Sequence, residues 1–169
     1  MKRSKFLNKC TALFIVLLFS ISSELVAQYN FAVGLRAGTT AGITLKKITA
    51  QESAIEGILG FCGDCFSITG LYEKNPQILD IKGLNWYYGV GLHVTFYVDR
   101  DAEPFFRNKD YDNNELGLGI DGIVGLEYKI PDIPLAISID LKPFIEITTQ
   151  SDVFFWFDPG IGIKLAFPK

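Results

Sequence analysis

The chain carries one histidine, His93, with a hydroxyl two residues on at Thr95 and a carboxylate further along at Glu127. Those three groups are the parts of a nucleophilic acyl-transfer centre, provided the fold brings them within hydrogen-bond reach. A second chemical candidate is Cys62-Gly63-Asp64-Cys65, whose paired cysteines could be a redox couple, a structural disulfide or part of a metal site. The third is a scatter of charges of both signs: Arg36, Lys46, Lys142 and Lys164, with Glu56, Glu73, Asp121, Asp140 and Glu146. What any of them does depends on the face of the element that carries it.

The elements are strands. From Trp86 to Val98 the side chains alternate: Trp86, Tyr88, Val90, Leu92, Val94, Phe96 and Val98 are large and apolar, while Tyr87, Gly89, Gly91, His93, Thr95 and Tyr97 are small or polar. That period of two is a strand with one apolar and one polar face. Similar stretches predict eight strands, over 30–37, 42–48, 54–61, 65–73, 86–98, 115–130, 135–147 and 157–167. In the sixth, Leu116, Leu118, Ile120, Val124, Leu126, Tyr128 and Ile130 oppose Glu115, Gly117, Gly119, Asp121, Gly125, Glu127 and Lys129. In the seventh, Leu135, Ile137, Ile139, Leu141, Ile145 and Ile147 oppose Ala136, Ser138, Asp140, Lys142 and Glu146. In the eighth, Ile161, Ile163, Leu165 and Phe167 oppose Gly160, Gly162, Lys164 and Ala166.

Two all-β architectures share this pattern. A water-soluble barrel or sandwich would turn the apolar face inward. A membrane barrel would turn it to lipid and crowd the polar face into the lumen. Glycines mixed with charges of both signs suit a narrow lumen better than a solvated surface, so the expected fold is an eight-stranded antiparallel up-and-down transmembrane β-barrel. No apolar run after the first segment reaches the roughly 18 residues a spanning helix needs.

That first segment, Lys2, Arg3 and Lys5 followed by an apolar core and ending at Ala27, reads as a cleaved secretory signal peptide, residues 1–27, with the barrel domain over 28–169. Cys10 precedes the apolar core and is no lipobox cysteine, so two cysteines stay in the mature chain. Cleavage removes Lys2, Arg3, Lys5, Lys9 and Glu24, lowering the formal charge of −3 by three units. No basic patch is left for a phosphate backbone, which argues against a nucleic-acid partner.

With eight strands and a periplasmic N-terminus, the Pro131-Asp132-Ile133-Pro134 turn is periplasmic, while segments 99–114 and 148–156 are extracellular loops. The connection over 75–85 is long for a periplasmic turn, and the loops near Thr39 and Gly63 are short for extracellular ones. Tyr72, Trp86 and Tyr128 at one level, and Tyr97, Phe154, Phe155 and Trp156 at the other, are expected aromatic girdles.

Residues 83–97 resemble a family of small porin-like outer-membrane β-barrel proteins typical of Bacteroidota, through Gly83-Leu84-Asn85-Trp86-Tyr87-Tyr88-Gly89-Val90-Gly91-Leu92-His93-Val94-Thr95-Phe96-Tyr97. The likeness continues in Gly119-Ile120-Asp121-Gly122-Ile123-Val124-Gly125-Leu126-Glu127-Tyr128 and in Ile133-Pro134-Leu135-Ala136-Ile137-Ser138-Ile139-Asp140-Leu141-Lys142-Pro143, with a weaker match at Ile68-Thr69-Gly70-Leu71-Tyr72-Glu73. The resemblance implies an eight-stranded barrel in the outer membrane of a Gram-negative envelope, and it carries no established activity. Members usually end on an aromatic residue used by the barrel-assembly machinery; here Pro168 and Lys169 follow Phe167.

On this fold the candidate residues acquire roles. The nine charges Arg36, Lys46, Glu56, Glu73, Asp121, Asp140, Lys142, Glu146 and Lys164 face a lumen that eight strands leave just wide enough for side chains to fill, so they should pair and plug it. A narrow channel or small-ligand barrel is the alternative reading. Cys62 and Cys65, exported to an oxidising compartment, favour a disulfide pinning a short loop over free thiols or a metal site. His93 shares the glycine face and points into the lumen, whereas barrel enzymes that modify lipid A work from the outer surface. The expectation is therefore a non-enzymatic protein with no catalytic or metal residues and no cofactor. Its partners would be outer-membrane lipid, the assembly machinery at the last strand, and a ligand or protein at the extracellular loops, chiefly 99–114 with Phe105, Phe106 and Tyr111.

Overall fold

Alternation over eight segments is realised as eight antiparallel strands: β1 (Phe31–Gly38), β2 (Ala41–Ala50), β3 (Ser53–Phe61), β4 (Cys65–Lys74), β5 (Leu84–Tyr97), β6 (Leu116–Lys129), β7 (Leu135–Thr148) and β8 (Val153–Phe167). The computed structural model describes residues 29–50, 52–63, 65–79, 81–97, 115–149 and 153–167. The expected signal segment 1–27, the expected loop 99–114 with Phe105, Phe106 and Tyr111, and Pro168 and Lys169 lie outside the described residues.

Each strand pairs with its neighbour in sequence, and β1 pairs with β8 to close the barrel. The closing register runs from Phe31 opposite Phe167 to Gly38 opposite Gly160. Closure matters because an open sheet would present an edge of unpaired backbone groups. It also fixes every side chain to one wall, since a slip of one residue would exchange the two faces.

The walls are opposite in character. Arg36, Lys46, Glu56, Glu73, His93, Asp121, Glu127, Asp140, Lys142, Glu146, Asp158 and Lys164 are all buried inside. Outside, Leu35, Ile55, Val90, Leu92, Ile120, Ile139 and Ile161 are exposed, Val90 and Leu92 by 66%. The interior is not wholly polar, however. Ile58, Leu71, Tyr87 and Ile123 form a buried cluster, and Tyr29, Ala32 and Ala166 form another with Ile48 packed against it.

Two expected boundaries shift. β7 ends at Thr148 and β8 begins at Val153, so most of the expected extracellular loop 148–156 is strand. The run Val153-Phe154-Phe155-Trp156-Phe157 has apolar residues on both faces and therefore hides the period of two, but it pairs with β7 up to Val153 opposite Ile147. Phe154, Phe155 and Trp156 are thus strand residues. The long connection after β4 is shortened by a bridge between Gln77 and Asn85.

Candidate functional site: the charged interior

Two ionic clusters fill the barrel. The first lies towards the end that carries Tyr29 and Phe167, called here the terminal end. Lys46 on β2 sends Nζ to within 2.8 Å of Glu73, 3.6 Å of Glu127 and 3.8 Å of Glu56. The contact with Glu73 is an ion pair without hydrogen-bond alignment. Lys164 on β8 donates to Glu56 and Glu127, both at 3.1 Å. Tyr29 donates its hydroxyl to Glu127 at 2.5 Å. These contacts join β2, β3, β4, β6 and β8, so side chains reach from wall to wall across the lumen.

The second cluster lies towards the loop end. Arg36 on β1 donates through Nη2 to Asp140 at 2.6 Å, through Nη1 to Asp158 at 2.9 Å, and to the carbonyls of Thr40 and Asp158, both at 3.0 Å. A guanidinium serves this geometry because its donors are fixed in a planar fork. Lys142 donates to Asp121 at 3.0 Å and lies 3.5 Å from Asp158. His93 places Nδ1 2.8 Å from Asp121 and Nε2 2.8 Å from Glu146. Glu146 also accepts from Thr95 at 2.9 Å and Tyr97 at 2.6 Å.

Both histidine contacts are with carboxylate oxygens. A neutral imidazole has a single N–H, so the string Asp121–His93–Glu146 must hold two protons in its two hydrogen bonds. The His93 ring also packs against Phe144 in a T-shaped arrangement, at 5.3 Å between centroids.

Glycines make room for these groups. A Cβ at Gly119 would collide with the His93 ring, one at Gly160 with the Arg36 guanidinium, and one at Gly117 with the Glu146 carboxylate. The residues opposite the large charged side chains are therefore part of the network although they contribute no atom to it.

Tyr87 connects the clusters. Its ring lies beneath Lys46 at 4.3 Å and Lys164 at 5.7 Å, while its hydroxyl donates to Asp140 at 3.0 Å. Around it stands the apolar layer of Ile58, Leu71 and Ile123. Ile58 comes two residues after Glu56 on β3, Leu71 two before Glu73 on β4, and Ile123 between Asp121 and Glu127 on β6. The layer thus lies between the two sets of charges.

All nine charges singled out in the sequence lie in this interior, and the network adds Glu127, Asp158, His93, Tyr29 and Tyr87. Tyr87 stands on the glycine face of β5, and Asp158 shares the parity of Gly160, the signal that could have found it. Glu127, which could complete an acyl-transfer centre only if the fold brought it to His93, lies apart from it: Glu127 belongs to the terminal cluster, while the acids beside His93 are Asp121 and Glu146. Thr95 bonds to Glu146. That arrangement differs from an acyl-transfer centre, in which the histidine bonds to the hydroxyl it activates.

Cys62 and Cys65 form a disulfide across the β3–β4 connection, with Cα atoms 5.0 Å apart. The N–H of Cys62 donates to the Cys65 carbonyl at 3.0 Å, and Gly63 takes the left-handed φ of 67° that the tight connection requires. Among the described residues no group of three or more His, Cys, Asp and Glu side chains could hold a metal ion.

Fold and site together define a class: a closed eight-stranded antiparallel barrel with an ion-paired, filled interior and an apolar outer wall. No family model, curated protein or solved structure matches the chain.

Proposed function

We propose that this chain is an outer-membrane barrel, exported by the signal segment 1–27, which spans the membrane with a closed lumen and serves a structural or surface-interaction role without catalysis. The observation that carries the reading is the inversion of polarity between the two walls. A soluble monomer rarely exposes a contiguous apolar patch beyond a few hundred Å², and here large apolar side chains face outward on all eight strands. Lipid is the solvent that suits them, and charges buried and paired inside are what a narrow transmembrane barrel accommodates.

The finer parts of the reading draw on the sequence as well as on this geometry. The family resemblance in residues 83–97, 119–128 and 133–143 supports an outer-membrane location. Phe167, on the outer face at the end of β8, is the residue offered to the assembly machinery. Surface interaction belongs to the loop end, which includes the disulfide-closed connection at Cys62 and Cys65. The lumen is read as a plug because Lys46 and Lys164 bridge opposite walls, which leaves little room for an ion path. His93 is read as structural because both its ring nitrogens are engaged by carboxylates.

Heat-modifiable migration on unboiled gels of an outer-membrane fraction tests location and barrel together: a faster-migrating unboiled band in that fraction is expected, and a soluble, detergent-independent monomer overturns the reading. Planar-bilayer recording tests the plug. Silence is expected; steady single-channel currents that disappear on changing Asp121 or Asp140 would make the protein a narrow channel. Unchanged lipid A on overexpression is the expected result for a non-enzyme.

A further inference from the structure

Among the described large apolar residues the most exposed is Leu79, at 79%, and it lies on the β4–β5 connection at the terminal end of the barrel. Its backbone has φ 56°, in the left-handed region that a side chain with a Cβ seldom adopts. The conformation is held by local hydrogen bonds. Ile78 N–H donates to Leu84 O at 3.2 Å, Ile81 N–H to Ile78 O at 3.3 Å, and Leu84 N–H to Ile81 O at 3.1 Å. Trp86 N–H donates to Pro76 O at 3.2 Å and Gln77 Nε2 to Ile81 O at 3.3 Å. Lys129 N–H, at 2.8 Å from Gly83 O, ties the connection to β6. The connection is thus a built extension of the β4–β5 pair. Ile81 is exposed on it as well, at 45%.

A strained backbone that displays an apolar side chain to its surroundings points to an occupant outside the chain. The occupant is indicated by what adjoins the connection. At its base Trp86 packs on Tyr88, with ring centroids 4.9 Å apart, and both face outward beside the exposed Tyr72 of β4. Aromatic side chains at the rim of an apolar band are suited to the boundary between acyl chains and headgroups. Leu79 and Ile81 extend that band beyond the last residues of the strands.

We propose that Leu79 and Ile81 form an interfacial anchor, dipping into the leaflet on the terminal side of the barrel and setting how deeply the barrel sits. The inference rests on the membrane reading above, so the test separates the two. In a Trp86→Phe, Trp156→Phe background, a single tryptophan is placed by Leu79→Trp, and in separate proteins by Ile81→Trp and Val90→Trp. Each is refolded into phosphatidylcholine vesicles whose acyl chains carry bromine either near the headgroup or near the chain end. The Leu79→Trp fluorescence should be blue-shifted and quenched more by shallow than by deep bromine, with Ile81→Trp as a second probe of the same connection. The Val90→Trp probe should be quenched, and more by deep bromine.

If Val90→Trp is quenched while both connection probes emit as in water and escape quenching, the anchor is wrong and the membrane reading stands. If Val90→Trp also escapes quenching, the membrane reading itself fails. Blue-shifted connection probes that resist bromine but respond to the protein-to-lipid ratio would show contact with a second copy of the chain, and overturn the lipid assignment.

Discussion

The two ionic clusters solve one problem with different chemistry. At the terminal end two lysine amines sit among Glu56, Glu73 and Glu127 at distances from 2.8 to 3.8 Å, each amine serving more than one acid. At the loop end a guanidinium fork and an imidazole engage single carboxylate oxygens, with contacts of 2.6 to 2.9 Å from Arg36 and 2.8 Å from His93, and only one amine, Lys142, is shared, between Asp121 and Asp158. An amine is a compact point charge that can share its attraction, whereas the fork and the ring are directional and fit particular partners. The terminal cluster should therefore tolerate rearrangement, and the loop-end cluster should not.

Substitution of Arg36 probes that contrast most strongly. Arg36→Ala leaves Asp140 and Asp158 without their guanidinium, and loss of one partner of a buried ionic group typically costs about 3–5 kcal/mol. Urea unfolding from lipid vesicles should show it. Arg36→Lys should recover less than half, and full recovery would dissolve the distinction between directional and shared pairing. Lys46→Met should cost less, about 3 kcal/mol at the lower end of that range in the same assay, because Lys164 continues to serve Glu56 and Glu127 and Glu73 alone loses its nearest cation.

Tyr87→Phe keeps the ring beneath the two lysines and removes the bond to Asp140. About 1.5–2 kcal/mol is expected, as for a hydrogen bond to a charged group. Double-mutant cycles sharpen the comparison. Coupling should appear between Tyr87→Phe and Arg36→Ala, which share Asp140, and be weak between Tyr87→Phe and Lys46→Met. The smallest effect belongs outside the interior. Replacing both Cys62 and Cys65 with serine opens a loop so short that about 2 kcal/mol is the upper expectation, and the coupling at Tyr87 should be unchanged.

Much of the barrel is readable from parity alone. A side chain's position in the alternation decides its wall, most plainly in β5, β6 and β7, and Asp121, Asp140, Lys142 and Glu146 could be assigned to the interior there, with the other five charges following from the shorter alternations of β1 to β4 and from β8. The start of β8 was not readable, because Phe154 and Trp156 place aromatic rings at lumen-parity positions that elsewhere hold small or polar groups. Ile123 escaped for a related reason: it is an apolar residue at an inward position, flanked along its strand by Asp121 and Gly125.

Partner choice is a different matter. That Lys164 meets Glu56 and Glu127, or that His93 meets Asp121 and Glu146, depends on the stagger of the strands and on reach across the lumen. Neither is encoded in the period of a single strand. A usable signal did lie in the glycines: Gly119 stands opposite His93 on the neighbouring strand, and Gly160 opposite Asp140 beneath the Arg36 guanidinium. A glycine at an inward position thus marks where a large polar neighbour needs space.

The sequence separations within the network have a kinetic consequence. Arg36 lies 104 residues from Asp140 and 122 from Asp158, and Lys164 lies 108 from Glu56. These bonds cross between the first strands and the last, so none can form until the chain's two ends meet at the β1–β8 seam. Contacts of such range are late and slow, because the loop entropy must be lost before they form. An unclosed sheet could still make pairs between neighbouring strands, such as Lys142 with Asp121, but would leave Arg36 and Lys164 without their distant acids, which the closed barrel supplies together. Barrel formation should therefore resemble a latch, with few stable partly zipped forms and a seam that, once shut, opens slowly.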